Sequence, residues 1–171
     1  TKDDQNLTAF FIEGTLVSVN KIMKMSSSNG GETWSNPETI IEDSLQIKCP
    51  RAMLTSDNKL WLVYQKESSY SYMHPEWNQL AYYLTSDLYY RISEDFGNTW
   101  QPDKKLTKYI GDDNYLNLTY YDNSPLLSYT TQRFTNNYNL TFLIPGKFEE
   151  NKTPPYIIYS YSKNIDTLKN I

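Results

Sequence analysis

"SEDFGNTW", residues 93–100, sets Ser93, Asp95, Gly97 and Thr99 at alternate positions and ends on Trp100. "SSNGGETW", residues 27–34, repeats the arrangement with Ser27, Asn29, Gly31, Thr33 and Trp34. Ser27 and Ser93 lie 66 residues apart, and the flanks repeat with them. "TLVSVNKIMKMSSSNGGETWSNPETI" runs parallel to "AYYLTSDLYYRISEDFGNTWQPDKKL", without a gap from Met25 and Arg91 onward. Ser162 and Asn164, in "YIIYSYSKNIDTL", read as a decayed third copy. Self-similarity at a fixed spacing marks an architecture built from repeated supersecondary units.

The chemistry of the repeat is that of a tight reversal between strands. Its backbone N–H groups point into the loop, where a Ser hydroxyl and an Asp or Asn oxygen accept them. Gly31 and Gly97 take positive φ without a Cβ clash. The Thr leads into the return strand, and the Trp buries a large ring beneath the hairpin.

Composition agrees. The chain has 171 residues, enough for one domain with a sizeable core, and 39% are apolar. Sixteen tyrosines against three alanines favour strands over helices. No segment sustains a 3.6-residue period with caps, so helix content is expected to be low. A net charge of −4 and a pI near 5.0 give no electrostatic reason for a nucleic-acid partner. No apolar run approaches the roughly 20 residues of a membrane-spanning helix. Cys49 is the single cysteine, so no internal disulfide forms, and it reads as a small buried hydrophobe. The opening "TKDDQNLTAFF" lacks the order of a secretion signal, so the chain reads as a mature or excised piece. Sequons at Asn6, Asn117, Asn139 and Asn151 point to an extracellular, glycosylated protein.

The pattern Ser-x-Asp-x-Gly-x-Thr-Trp resembles the Asp-box, or bacterial neuraminidase repeat, of sialidase-like β-propellers. The second copy fits at all five positions; the first has Asn29 for Asp. The resemblance implies an all-β fold, a partial propeller of about three four-stranded blades, half of a six-bladed ring. Blade boundaries then fall at 1–44 (a partial blade), 45–108 and 109–171. "PRAML" and "KLWLVYQ" read as inner and second strands of the middle blade, joined by the turn "TSDN" and followed by a third strand through "LYYRI". "LTAFFIE" reads as a second strand of the first blade; "YLNLTYY", "PLLSYTTQ", "YNLTFLI" and "YIIYSYS" supply the last. A half-ring leaves apolar flanks that call for the remaining blades, from the same parent chain, another fragment or a second copy.

In such a propeller the box is structural, at the outer rim, and ligands meet the loops at the other end. Two stretches are candidates there. Residues 66–79, "KESSYSYMHPEWNQ", are expected to form a long loop whose Tyr70, Tyr72 and Trp77 stack on sugar rings, while His74 and Glu76 hydrogen-bond hydroxyls. "YIGDDNY" places Asp112 beside Asp113; adjacent carboxylates can hold a hard cation or supply a general acid, and a solvated acidic turn is the simpler reading. A sialidase would further need three arginines to clamp a carboxylate, a Tyr–Glu nucleophile pair and an Asp acid/base. Arg51, Arg91 and Arg133 are the only arginines. Arg91 falls on an outer strand; Arg51, in "CPRAM", falls on an inner strand but without the family's Phe/Tyr-Arg-Ile-Pro signature, and Arg133, in "TTQRF", reaches a funnel edge, so Arg51 and Arg133 are the ligand-contact candidates. The expectation is a glycan-binding or surface-scaffold module without cofactor or metal. The alternatives are part of a sialidase-like exo-glycoside hydrolase with its catalytic residues elsewhere, and a self-associating structural component. His74 is the only histidine, which leaves no His pair for a metal.

Overall fold

A computed structural model describes residues 4–15, 18–74, 79–107, 112–121, 124–131 and 139–143. They contain ten strands and no helix, as the tyrosine-rich, alanine-poor composition requires. β1 (Leu7–Thr15), β2 (Ser18–Ser27) and β3 (Glu38–Glu42) form the first sheet. The second has β4 (Ile47–Leu54), β5 (Leu60–His74), β6 (Gln79–Ser93) and β7 (Lys104–Lys105), side by side in chain order. β8 (Asp113–Tyr121), β9 (Ser124–Thr131) and β10 (Asn139–Leu143) form the third. All pairings are antiparallel, which short reversals between neighbouring strands dictate.

The second sheet lies between the other two, and its strands are apolar on both faces. On β5, Leu62 and Tyr64 pack with Ile22 and Ile41 of the first sheet. Trp61 and Val63 point the other way, to Leu116, Leu127 and Tyr129 of the third, joined by Leu88, Tyr90 and Leu106. This explains the unbroken run Leu60–Tyr64: alternate residues serve two interfaces. Trp61 also stacks on Tyr90, with ring centroids 5.3 Å apart. Each such side chain, fully removed from water, contributes about 1.5–3 kcal/mol.

Both Ser-to-Trp turns share one hydrogen-bond scheme. Ser93 Oγ accepts from Gly97 N at 2.7 Å and donates to Asp95 Oδ1 at 2.7 Å. Asp95 in turn accepts from Thr99 N at 2.8 Å and Thr99 Oγ1 at 2.6 Å. In the first turn Gly31 N donates to Ser27 Oγ at 2.9 Å, and Thr33 N to Asn29 Oδ1 at 3.0 Å. Gly31 and Gly97 have φ of 93° and 88°. The preceding residues are also left-handed, Gly30 at 69° and Phe96 at 59°. For Phe96 that conformation costs roughly 1–2 kcal/mol.

The tryptophans do not share one fate. Trp100 is half-buried and meets Phe10 of the first sheet edge-on at 5.9 Å. Trp34 is 40% exposed, against the expectation of a buried ring, because no described residue of another sheet covers that side.

The 66-residue period extends to a feature the sequence did not announce. β4 and β8, the first strands of their sheets, each carry a bulge, between Lys48 and Arg51 and between Asn114 and Asn117. Each bulge holds one left-handed residue, Cys49 at φ 51° and Tyr115 at φ 54°, again 66 positions apart. Cys49 is therefore half-exposed at a bend, not a core hydrophobe.

Candidate functional site

Residues 66–79, expected as a loop, are mostly strand. β5 and β6 stay in register from Leu60↔Ser93 through His74↔Gln79, leaving only 75–78 outside the described residues. The alternation of Ser and Tyr in "SSYSY" has the two-residue period of a strand, and it overrides the insertion reading. β4 follows β5 only to Lys66, and β7 follows β6 only to Tyr89. Beyond those points no other described strand pairs with the hairpin, which continues as a two-stranded arm at the end of the sheet opposite the Ser93–Trp100 turn.

An isolated two-stranded ribbon is marginal in water, so its root must be clamped. Asp87, fully buried, does this. It forms an ion pair with Lys105 at 2.8 Å and accepts from Tyr70 Oη at 2.7 Å and Thr107 Oγ1 at 3.2 Å. Lys105 Nζ also reaches Tyr70 Oη at 2.9 Å and Ser68 Oγ at 3.1 Å, and lies 4.7 Å from the Tyr70 ring centroid. Burial, then the hydrogen bond to Asp87, push the Tyr70 hydroxyl well above the ordinary tyrosine range. Tyr70 is thus a fixed neutral donor at the root, not an open sugar platform or a nucleophile.

A second set of charges lies alongside. Lys66 pairs with Asp43 at 2.9 Å and lies 4.5 Å from the Tyr89 ring centroid. Burial pulls the Lys66 ammonium down, but its hydrogen bond and charge contact with Asp43 raise it on balance. Arg91 is held by Asp103 and by Ile40 O, at 3.1 Å. Its guanidinium is thus engaged between the second sheet and β3 of the first, rather than extended as a carboxylate clamp.

The acidic pair is not a solvated turn. Asp112 Oδ1 accepts from Ser86 N at 2.9 Å, capping β6 where the arm departs. Asp113 is fully buried at the start of β8, and its backbone oxygen receives Gln65 Nε2 at 2.8 Å. The Asp112 carboxylate and the Asp113 backbone oxygen both serve the junction between the second and third sheets. No cluster of three or more metal-ligating side chains occurs among the described residues.

Of the other expected residues, Arg51 is exposed on β4 and donates to Pro50 O at 3.0 Å. Tyr72 and His74 sit on β5 opposite Ala81 and Gln79. Glu76, Trp77, Arg133 and Asn151 lie outside the described residues, as do Ser162 and Asn164. Asn6 precedes β1 and Asn117 lies on β8, both exposed; Asn139 opens β10.

What sequence reasoning missed is the other strand of the arm. Leu80, Tyr82 and Leu84 are 51%, 69% and 63% exposed, at alternate positions opposite Met73, Ser71 and Ser69. They share parity with Leu88 and Tyr90, so they continue the face turned to the third sheet into open solvent. The signal lay in "QLAYYLTS", whose apolar run from residue 80 to 84 places alternate residues on opposite faces of a strand.

No family model matches the chain, and no curated protein matches it.

Proposed function

We propose that this chain is a segment of an extracellular Asp-box β-propeller, its three sheets being successive blades, and that it binds glycans at the arm. One observation carries the blade reading: two turns 66 residues apart repeat the same hydrogen bonds at the ends of sheets packed face to face. The matching bulges at Cys49 and Tyr115 support it independently. The first sheet's outer face, where Trp34 lies open, takes a further blade of the ring. Exposed sequons at Asn6 and Asn117 support an extracellular setting.

The glycan reading rests on the exposed Tyr82, flanked by Leu80 and Leu84 and faced by serines across the ribbon. An aromatic ring takes the C–H face of a sugar, and neighbouring hydroxyls take its polar edge. Hydrolysis is less well supported, since Arg91 is engaged by Asp103 and Tyr70 by Asp87. The test is a glycan array with the wild type, the Tyr82→Ala variant and the Tyr72→Ala/Trp77→Ala double variant. Specific signals should vanish in both variants while circular dichroism keeps its β signature. Signals that persist in both variants, or an array blank for the wild type, reject the arm as a glycan site. Sedimentation velocity addresses the ring: association weakened by Trp34→Glu supports a further blade on that face, and a monomer at all concentrations counts against it.

A further inference from the structure

A cleft of about 390 Å³ opens between the first two sheets at the end bearing both Ser-to-Trp turns, far along β5 from the arm. Its size falls in the range of small-molecule sites. Phe96 lines it. The equivalent residue of the first turn is Gly30, left-handed like Phe96. Glycine meets that backbone requirement without strain, so the turn itself gives no reason for a phenylalanine. Strained residues held in place by their surroundings concentrate at binding sites.

The rest of the wall defines a chemistry. Phe10, Met53 and Leu54 join Phe96 as apolar surface, while Asn6, Thr8 and Asn98 add neutral hydrogen-bonding groups. Among the described residues no charged side chain lines the cleft. The nearby Lys24 ammonium is occupied by Gly97 O at 2.7 Å and Glu38 at 3.0 Å. An anion would find no cation among the described lining residues, and an acyl chain would strand the asparagines against hydrocarbon. A pyranose ring presents one C–H face and a rim of hydroxyls, which matches both halves of the wall.

We propose that this cleft binds an uncharged sugar ring, with Phe96 as its stacking surface. The site is separate from the arm and stands or falls without it. The experiment is an amide chemical-shift titration of the full chain with methyl β-D-glucopyranoside and methyl β-D-galactopyranoside. At least one sugar should give saturable shifts at Asn6, Ser27 and Asn98, with dissociation constants on the order of 1–10 mM. Phe96→Gly should retain the turn, with an unfolding midpoint equal to or above wild type, and weaken binding about tenfold or more. Phe96→Tyr should keep the affinity, and Tyr82→Ala should leave these shifts unchanged. Absence of saturable shifts up to about 100 mM of either sugar overturns the proposal. So does a folded Phe96→Gly variant that binds as the wild type does. Shifts abolished by Tyr82→Ala but not by Phe96→Gly would place the sugar on the arm instead, leaving that reading intact and ending this one.

Discussion

Replacing Ser93 and Ser27 by alanine, separately, tests whether the turn hydrogen bonds stabilise the fold in proportion to their burial. Ser93 is 1% exposed, and its Oγ accepts Gly97 N at 2.7 Å and Asp95 N at 3.3 Å while donating to Asp95 Oδ1. Ser93→Ala strands the buried Gly97 N–H, a penalty of about 1–3 kcal/mol. It also removes a donor to a carboxylate, which brings the expected loss to roughly 3 kcal/mol. Ser27 makes the matching bonds, but Gly31 is only half-buried and Asn29 is uncharged, so water partly repairs the defect. Ser27→Ala should cost about 1–1.5 kcal/mol. With a urea m-value of about 2 kcal/mol/M, the midpoint falls by about 1.5 M for Ser93→Ala and by about 0.5–0.75 M for Ser27→Ala. The measurement is equilibrium urea unfolding followed by Trp fluorescence, with m required to stay constant. Equal losses, or a larger loss for Ser27→Ala, would refute the reasoning, because the hydrogen bonds are the same and only burial and charge differ.

Acid stability should depend on Asp95 in a way that Asn29 cannot match. Hydrogen bonds from Thr99, side chain first and then backbone, hold the Asp95 carboxyl at about 2, against an ordinary 3.8. The folded value is the lower one, so this stabilisation is full above pH 4 and is lost as pH falls from about 4 to about 2. Asp95→Asn should flatten that part of the stability-versus-pH curve while keeping the turn, as Asn29 does; an unchanged acid slope would exclude Asp95 as a contributor. At the arm root, Asp87→Asn leaves Lys105 without its partner in a mostly buried site and should cost about 3 kcal/mol. Amide hydrogen exchange across residues 79–86 should accelerate with it, and protection unchanged in a folded variant would show that the arm does not depend on this clamp.

The readable part of the fold was the part fixed by local chemistry. A Ser, an Asp or Asn, a left-handed Gly and a Trp specify one turn whatever lies around it, and both copies fold as their residues dictate. The unbroken run Leu60–Tyr64 likewise announced a strand covered on both faces. The arm was misread because Pro75 and Glu76 sit in a polar stretch that resembles a loop, while the pairing that makes it strand comes from β6, far along the chain. Asp112 and Asp113 were misread for a similar reason. Adjacent carboxylates look solvated until the third sheet buries one and Ser86 N–H engages the other. The bulges at Cys49 and Tyr115 share no residue type, so only the backbone reveals their equivalence.

Differences between the two turns say more about assembly than their likeness does. In the first turn Trp34 Nε1 donates to Gly31 O at 3.0 Å, which satisfies the indole internally. In the second, the matching carbonyl of Gly97 accepts Lys24 Nζ from the first sheet, and Trp100 Nε1 has no hydrogen-bond partner among the described residues. Leaving a buried indole N–H unmade costs about 1–3 kcal/mol, so the exchange is favourable only because a charge-assisted bond and the Phe10 contact replace it. The two turns therefore differ in setting, one closed on its own tryptophan and one opened to a lysine from the sheet packed against it. The first turn is in the closed setting, and its tryptophan is the exposed one. A sheet docking on Trp34 with a lysine at the place Lys24 holds would switch Gly31 O to the open setting. The Trp34 indole would then exchange a hydrogen bond for a packed face.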